Sequence, residues 1–170
     1  MARAKAKMKT KDIDRGYKSF VESVGKLKGK YLHVGFLEGD MAYKRVVKGK
    51  TKRIVKTNTS IASIAALNEF GTDRIPSRPF MARTWNKNQK EAGKRIKAEL
   101  KAVLLGRKDI KLSLNQLGLW YQSKMVSEIQ NGRFKANSPI TVKRKGSTKP
   151  LIDTGRMWQS VKYIVKSVNK

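Results

Sequence analysis

Residues 61–81 read IASIAALNEFGTDRIPSRPFM, and the fold turns on this stretch. Thr59 or Ser60 supplies the side-chain oxygen that caps a helix through Ile61, Ile64, Ala65 and Leu67. Gly71 suits its end, because the residue that closes a helix often takes a left-handed backbone conformation open to glycine. Ile75-Pro76-Ser77-Arg78-Pro79 cannot continue the helix, since each proline disfavours helical backbone in the residue before it. Pro79 fits the first turn of a new helix, where no N–H is needed. That helix is predicted to run to Leu105 and stop at Gly106. Its apolar face is Met81, Trp85, Ala92, Ile96, Leu100 and Val103. Its other face carries Arg83, Lys87, Lys90, Lys94, Lys97 and Lys101 as a basic ladder, which is equally well explained as a solvated face.

Outward from this elbow the pattern alternates between helix and strand. Ile13, Tyr17, Phe20, Val24 and Leu27 share one helical face, with Asp12 as a plausible cap. Lys30–Leu37 (KYLHVGFL) is short, β-branched and aromatic, and reads as a strand buried on both faces. His33 lies within it and, with no second His or Cys, reads as a packed residue. Glu38-Gly39-Asp40 makes a turn. Residues 43–47 and 51–57 then read as a hairpin around Gly49-Lys50. On the far side, Leu114, Leu117, Tyr121, Met125 and Ile129 mark a helix from about Leu112 that Asn131-Gly132 ends. Thr141–Lys149 (TVKRKGSTK) reads as a basic loop, and Asp153-Thr154-Gly155 as a turn. Val161, Tyr163 and Val165 alternate with lysines in a closing strand with one wet face. The expected fold is α+β. A small antiparallel sheet packs with three to four helices, one of them long and amphipathic, and a basic β-hairpin arm spans 43–58. Residues 1–11 read as a flexible basic arm and 12–170 as a single domain.

Composition narrows the function. The 170 residues hold 40 Lys+Arg against 12 Asp+Glu, a formal net charge of +28. There is no Cys and one His, so thiolate chemistry, disulfides and multi-His metal cages are excluded. No apolar run approaches the roughly 20 residues of a membrane span, and no secretory leader precedes the first helix. A soluble protein made inside the cell is expected, with no membrane partner. Neither GxxxxGK[ST] nor a GxGxxG after a strand occurs, and no base lies near Thr154 or Ser160 in sequence. No catalytic residue, metal or cofactor is expected, and the protein reads as a non-enzyme. A metal-dependent nuclease is the reading that a plasmid-cleavage assay would test.

A charge of this size repels itself and is best explained by a polyanion partner. Lys44, Arg45, Lys48, Lys50, Lys52, Arg53 and Lys56 crowd the hairpin, and Lys143, Arg144, Lys145 and Lys149 the later loop. These eleven are the candidate DNA-facing residues. They would contact phosphates without reading bases. Tyr43 is the only ring in the hairpin, so a stacking platform for single strands is not indicated.

The elbow stretch, and PLIDTGRMWQS at Pro150–Ser160 beyond a long helical region, together resemble the bacteriophage neck proteins described as tail-completion, virion-morphogenesis or minor tail components. The matching positions are Asn68, Glu69, Phe70, Gly71, Thr72, Ile75, Pro76, Arg78, Pro79 and Phe80, then Leu151, Asp153, Thr154, Gly155 and Ser160. Two departures stand out: Asn68 where many relatives carry His, and a longer basic stretch at Tyr43–Asn58. The resemblance implies a structural virion protein of the head–tail junction, forming a homo-oligomeric ring, with six copies suggested. Its partners would be the head–tail connector, the tail terminator or tube, and the double-stranded DNA genome in the lumen. A cellular nucleic-acid-binding protein of ribosomal or nucleoid type explains the charge equally well. In the matching stretch, Phe70 and Phe80 are expected to anchor the core. Glu69 and Arg78 read either as an ion pair fixing the loop or as two independent surface charges.

Overall fold

The pattern resolves into six helices and four strands in a computed structural model that describes residues 17–37, 39–48 and 51–167, with the backbone alone at 19, 43–48 and 51–54. In order these are α1 (Tyr17–Leu27), β1 (Lys30–Phe36), β2 (Met41–Lys48), β3 (Thr51–Ser60), α2 (Ile61–Phe70), α3 (Phe80–Leu104), α4 (Ile110–Asn131), α5 (Pro139–Lys145), α6 (Arg156–Gln159) and β4 (Val161–Ser167). The architecture is α+β, as expected. The basic arm expected at 1–11, and Asp12 and Ile13 of the first helix, lie outside the described residues.

The long helix begins and ends where its punctuation places it, and α4 follows after residues 105–109. Asp109 caps α4, its carboxylate accepting from Lys111 N at 2.8 Å and Leu112 N at 3.3 Å. The two helices pack on each other, and Glu91, paired with Arg95 of its own helix at 2.8 Å, links them by reaching Lys124 at 3.6 Å. The Arg95 guanidinium lies 4.9 Å over the Trp120 ring. The expected apolar face of α3 is buried only in part. Ala92 and Val103 are covered, whereas Trp85, Ile96 and Leu100 stand exposed.

Among the described residues β1 pairs only with β4, antiparallel, from Lys30↔Ser167 to Phe36↔Val161. A strand buried on both faces was expected here. An antiparallel sheet can leave one face to water, and exposure accordingly alternates from Tyr31 to Val34. His33 is consequently exposed, edge-on to Tyr31 at a centroid distance of 4.9 Å, and is not a core residue. The covered face rests on α4, where Gly118 makes the approach possible. A Cβ at Gly118 would stand 2.4 Å from the Tyr163 ring.

The core is small. Phe80, Met125 and Val161 are its most enclosed large side chains, with Ile61, Ala65, Ile129, Leu151 and Met157 around them. Phe36 meets Phe80 edge-on at 6.0 Å. Ala42, at the base of the hairpin, is part of this cluster.

The hairpin is longer than the sequence suggested, with β2 and β3 paired from Met41↔Ser60 to Lys48↔Thr51 in a sheet of their own. Its base is closed by two hydrogen bonds between its ends. Ile61 N donates to Asp40 O at 2.8 Å, and Thr57 Oγ1 donates to Ala42 O at 3.1 Å. The basic loop expected at 141–149 is in its first half a helix, α5. Ser138 caps it and Pro139 occupies its first turn, two start signals that lie upstream of the basic run. Gly146, left-handed at φ 69°, ends it.

Candidate functional site

The elbow is held by its own side chains. Ser60 Oγ accepts from Ser63 N at 3.0 Å and starts α2. Gly71 ends it at φ 78°, its N–H donating to Leu67 O at 3.0 Å. Only glycine fits there, since a Cβ would stand 2.7 Å from Ser77 N in a backbone conformation that L residues rarely adopt. The chain then folds back along α2. Arg78 N donates to Asn68 O at 2.6 Å, and Ser77 Oγ donates to Glu69 O at 2.8 Å.

Pro79, the residue before α3, brings no side-chain cap. Glu69 supplies it from the neighbouring helix. Its carboxylate is 7% exposed, and accepts from Met81 N at 2.8 Å and Ala82 N at 2.9 Å. Two N–H groups that no helical carbonyl can reach are thereby satisfied. The negative charge sits at the positive end of a 25-residue helix.

Arg78 is 5% exposed and does not pair with Glu69. Its Nε donates to Lys135 O at 2.8 Å, Nη1 to Asn68 Oδ1 at 3.2 Å, and Nη2 to Ala136 O at 3.3 Å and Asn137 Oδ1 at 3.0 Å. All these acceptors are neutral, and no carboxylate pairs with Arg78 among the described residues. Burial holds its pKa below the usual arginine value. Both readings offered for the Glu69–Arg78 couple are therefore corrected. The two side chains are buried and separately engaged, one with backbone N–H groups and the other with carbonyls and amides.

Arg78 lies in the wall of a cleft of about 760 Å³. The cleft is bounded by Asn68 and Thr72–Pro76 from the elbow, Lys135–Ser138, α5, and Pro150–Met157. Both resemblance-bearing stretches thus meet in one place. Asn68, Pro76 and Arg78 stand on one side, and Leu151, Asp153, Thr154 and Gly155 on the other. Apolar lining comes from Ile61, Ile64, Ile75, Leu151 and Met157. Charge comes from Arg74, Arg78, Lys135, Arg144, Lys145 and Arg156, against Asp73 and Asp153.

Lys145, expected to face DNA, is instead 8% exposed. Its Nζ donates to Lys149 O at 2.9 Å and Pro150 O at 3.0 Å. Burial lowers its pKa and Asp153 opposes that shift, while Arg78 and Arg144 reinforce it. The last turn of α5 points this lysine inward, so it braces the following loop. Lys143, Arg144 and Lys149 are exposed, as is Lys56.

The side chains of Lys44, Arg45, Lys48, Lys52 and Arg53, and Lys50 altogether, lie outside the described residues. The backbone register still fixes which positions share a face. Lys44 pairs with Val55 and Val46 with Arg53, whereas Arg45 pairs with Ile54 and Val47 with Lys52. Positions 44, 48 and 53 therefore fall on one face, and 45, 52 and 56 on the other. Each face has two aliphatic positions beside three cationic ones.

Two further expectations need correction. Phe70 does not anchor the core. It is 80% exposed at the outer end of α2, while Phe80 is fully buried. Glu69 and Phe70 are consecutive and leave α2 about 100° apart, so Phe70 faces out where Glu69 is buried. The basic ladder of α3 is also not uniform. Arg83 and Lys87 both pair with buried Glu128, at 3.2 Å and 2.5 Å, leaving Lys90, Lys94, Lys97 and Lys101 exposed. Glu128 was missed from sequence. Its signal was a lone carboxylate on the apolar side of α4, where only a paired charge is tolerated. Asn137 and the carbonyls of Lys135 and Ala136 left no local signal, because they act through Arg78 from 57 to 59 residues away.

Among the described residues, no three His, Cys, Asp or Glu side chains gather in a way that could hold a metal, and no helix is long and apolar enough to cross a membrane. No protein-family profile, curated protein sequence or solved structure matches the chain.

Proposed function

We propose that the protein is a non-enzymatic structural component of the neck of a tailed bacteriophage. Copies assemble as a ring between head connector and tail, and line the DNA passage with phosphate contacts that ignore base sequence. The observation that carries this reading is the hairpin register, which makes the arm cationic on both faces. Neither face of such a blade is apolar throughout, and among the described residues it joins the core at its base, through Ala42. Phosphate contact without base readout is what a conduit for arbitrary sequence requires. The family resemblance supplies the setting, and its two stretches share one cleft. A ring needs a head-to-tail surface. Tyr17, Phe20, Val21 and Val24, all exposed on α1, offer an apolar patch for one.

Changing Lys48, Lys50, Lys52 and Arg53 to alanine tests the assignment. The salt slope of duplex binding, log K against log [salt], should fall by about 3–4, or roughly 0.9 for each lost phosphate contact. Particles carrying the variant should assemble and retain DNA poorly. Unchanged DNA binding and retention would remove the hairpin from the mechanism. A density map of an assembled neck tests the location directly.

A further inference from the structure

We propose that the cleft between the elbow and α5 is a docking site for an acidic, apolar-flanked peptide segment of a partner protein. Its buried wall holds Arg78, a cation whose own partners are all neutral. A buried guanidinium with no carboxylate paired to it leaves positive potential in the cavity it faces, and the six cations of the lining outnumber its two carboxylates, Asp73 and Asp153. Arg74 and Arg144 are exposed where they line the same cleft. Aliphatic side chains of Ile64, Ile75 and Leu151 complete the lining.

That mixture selects the occupant. A duplex offers a convex array of phosphates and no aliphatic groups at its backbone. A cavity of about 760 Å³ is the size that accepts a few side chains or a small ligand. Carboxylates flanked by leucine or isoleucine satisfy both the arginines and the aliphatic wall. The cleft is separate from the hairpin and its DNA, and would take such a segment in whatever assembly the chain enters. It also divides the net charge of +28 into two uses, one for a polymer outside and one for a protein segment inside.

The probe is a fluorescein-labelled twelve-residue peptide alternating Leu/Ile with Asp/Glu. Its Asn/Gln counterpart and a labelled duplex are measured in parallel by anisotropy at 150 mM salt. Arg78→Ala risks the fold, so the test variant is Arg74→Ala/Arg144→Ala, with unchanged circular dichroism required. The control is Lys94→Ala/Lys97→Ala, which removes the same charge from the exposed side of α3. The acidic peptide should bind the parent protein at least tenfold more tightly than the amide peptide. The cleft variant should lose tenfold in peptide affinity and the control less than twofold. Equal losses in cleft variant and control, equal binding of the amide peptide, or no peptide binding would each overturn the proposal. A cleft variant that loses duplex affinity while keeping peptide affinity would reassign the site to phosphate.

Discussion

The elbow between α2 and α3 and the hairpin of β2 and β3 draw on the same ionic vocabulary in opposite ways. At the elbow, charges go inward. Glu69 caps α3, Arg78 gathers four hydrogen bonds, and Lys145 nearby braces two carbonyls. On the hairpin, cationic positions are distributed over both faces of a ribbon held at its base. Charge therefore has two meanings in one chain. Where each donor meets a fixed acceptor it is architecture, and on the hairpin the proposal assigns it to a partner.

Stability measurements can break this distinction. The largest effect is expected for Arg78→Ala, about 3–4 kcal/mol in urea unfolding, because it leaves buried carbonyls and amides without donors. Arg78→Lys should recover less than half of that, since an ammonium cannot reproduce the planar fork. A cost below 1 kcal/mol would mean that the elbow is held by packing alone. Glu69→Ala should cost about 2–3 kcal/mol by uncapping the long helix, and Glu69→Gln less, since one carbonyl oxygen still accepts.

A smaller effect is expected in acid. Lys108 lies 2.6 Å from Glu99 and holds its carboxyl below the ordinary value of 4.5. The contribution is present above that value and lost as pH falls through the lower folded-state value. It should be well under 1 kcal/mol in this partly exposed pair, and Lys108→Met should remove that part of the acid limb. The smallest effect belongs to Lys94→Ala and Lys97→Ala on the exposed ladder, within about 0.5 kcal/mol. A larger loss there would erase the contrast with the elbow.

Much of the frame was legible because its signals are local. Ser60, Gly71, Pro79 and Gly132 mark helix ends through backbone geometry that depends on near neighbours. The alternation at 161–166 likewise reports a half-covered strand. What escaped was whatever depends on distant partners. Phe70 and Phe80 are chemically identical and differ only in the side of the elbow they occupy. The fate of Arg78 was decided by residues 135–137, which no pattern near it announces. Lys145 looked like its neighbours Lys143 and Arg144 until a short helix turned it inward. The cleft has no signature of its own, because five separated segments build it.

The pairing of β1 with β4 has a temporal consequence. Lys30 and Ser167 are 137 residues apart, and Val161, which enters with the last strand, is among the most enclosed side chains. The neighbouring helices α3 and α4 can associate early through short-range contacts, while strand closure must wait for residues 161–167. Until then a nascent chain carries β1 with two bare edges, an adhesive state that translation must outrun or chaperones must shield. Strand β4 is thus the clock of maturation, and a polypeptide halted short of residue 161 would hold helices around an unsealed interior.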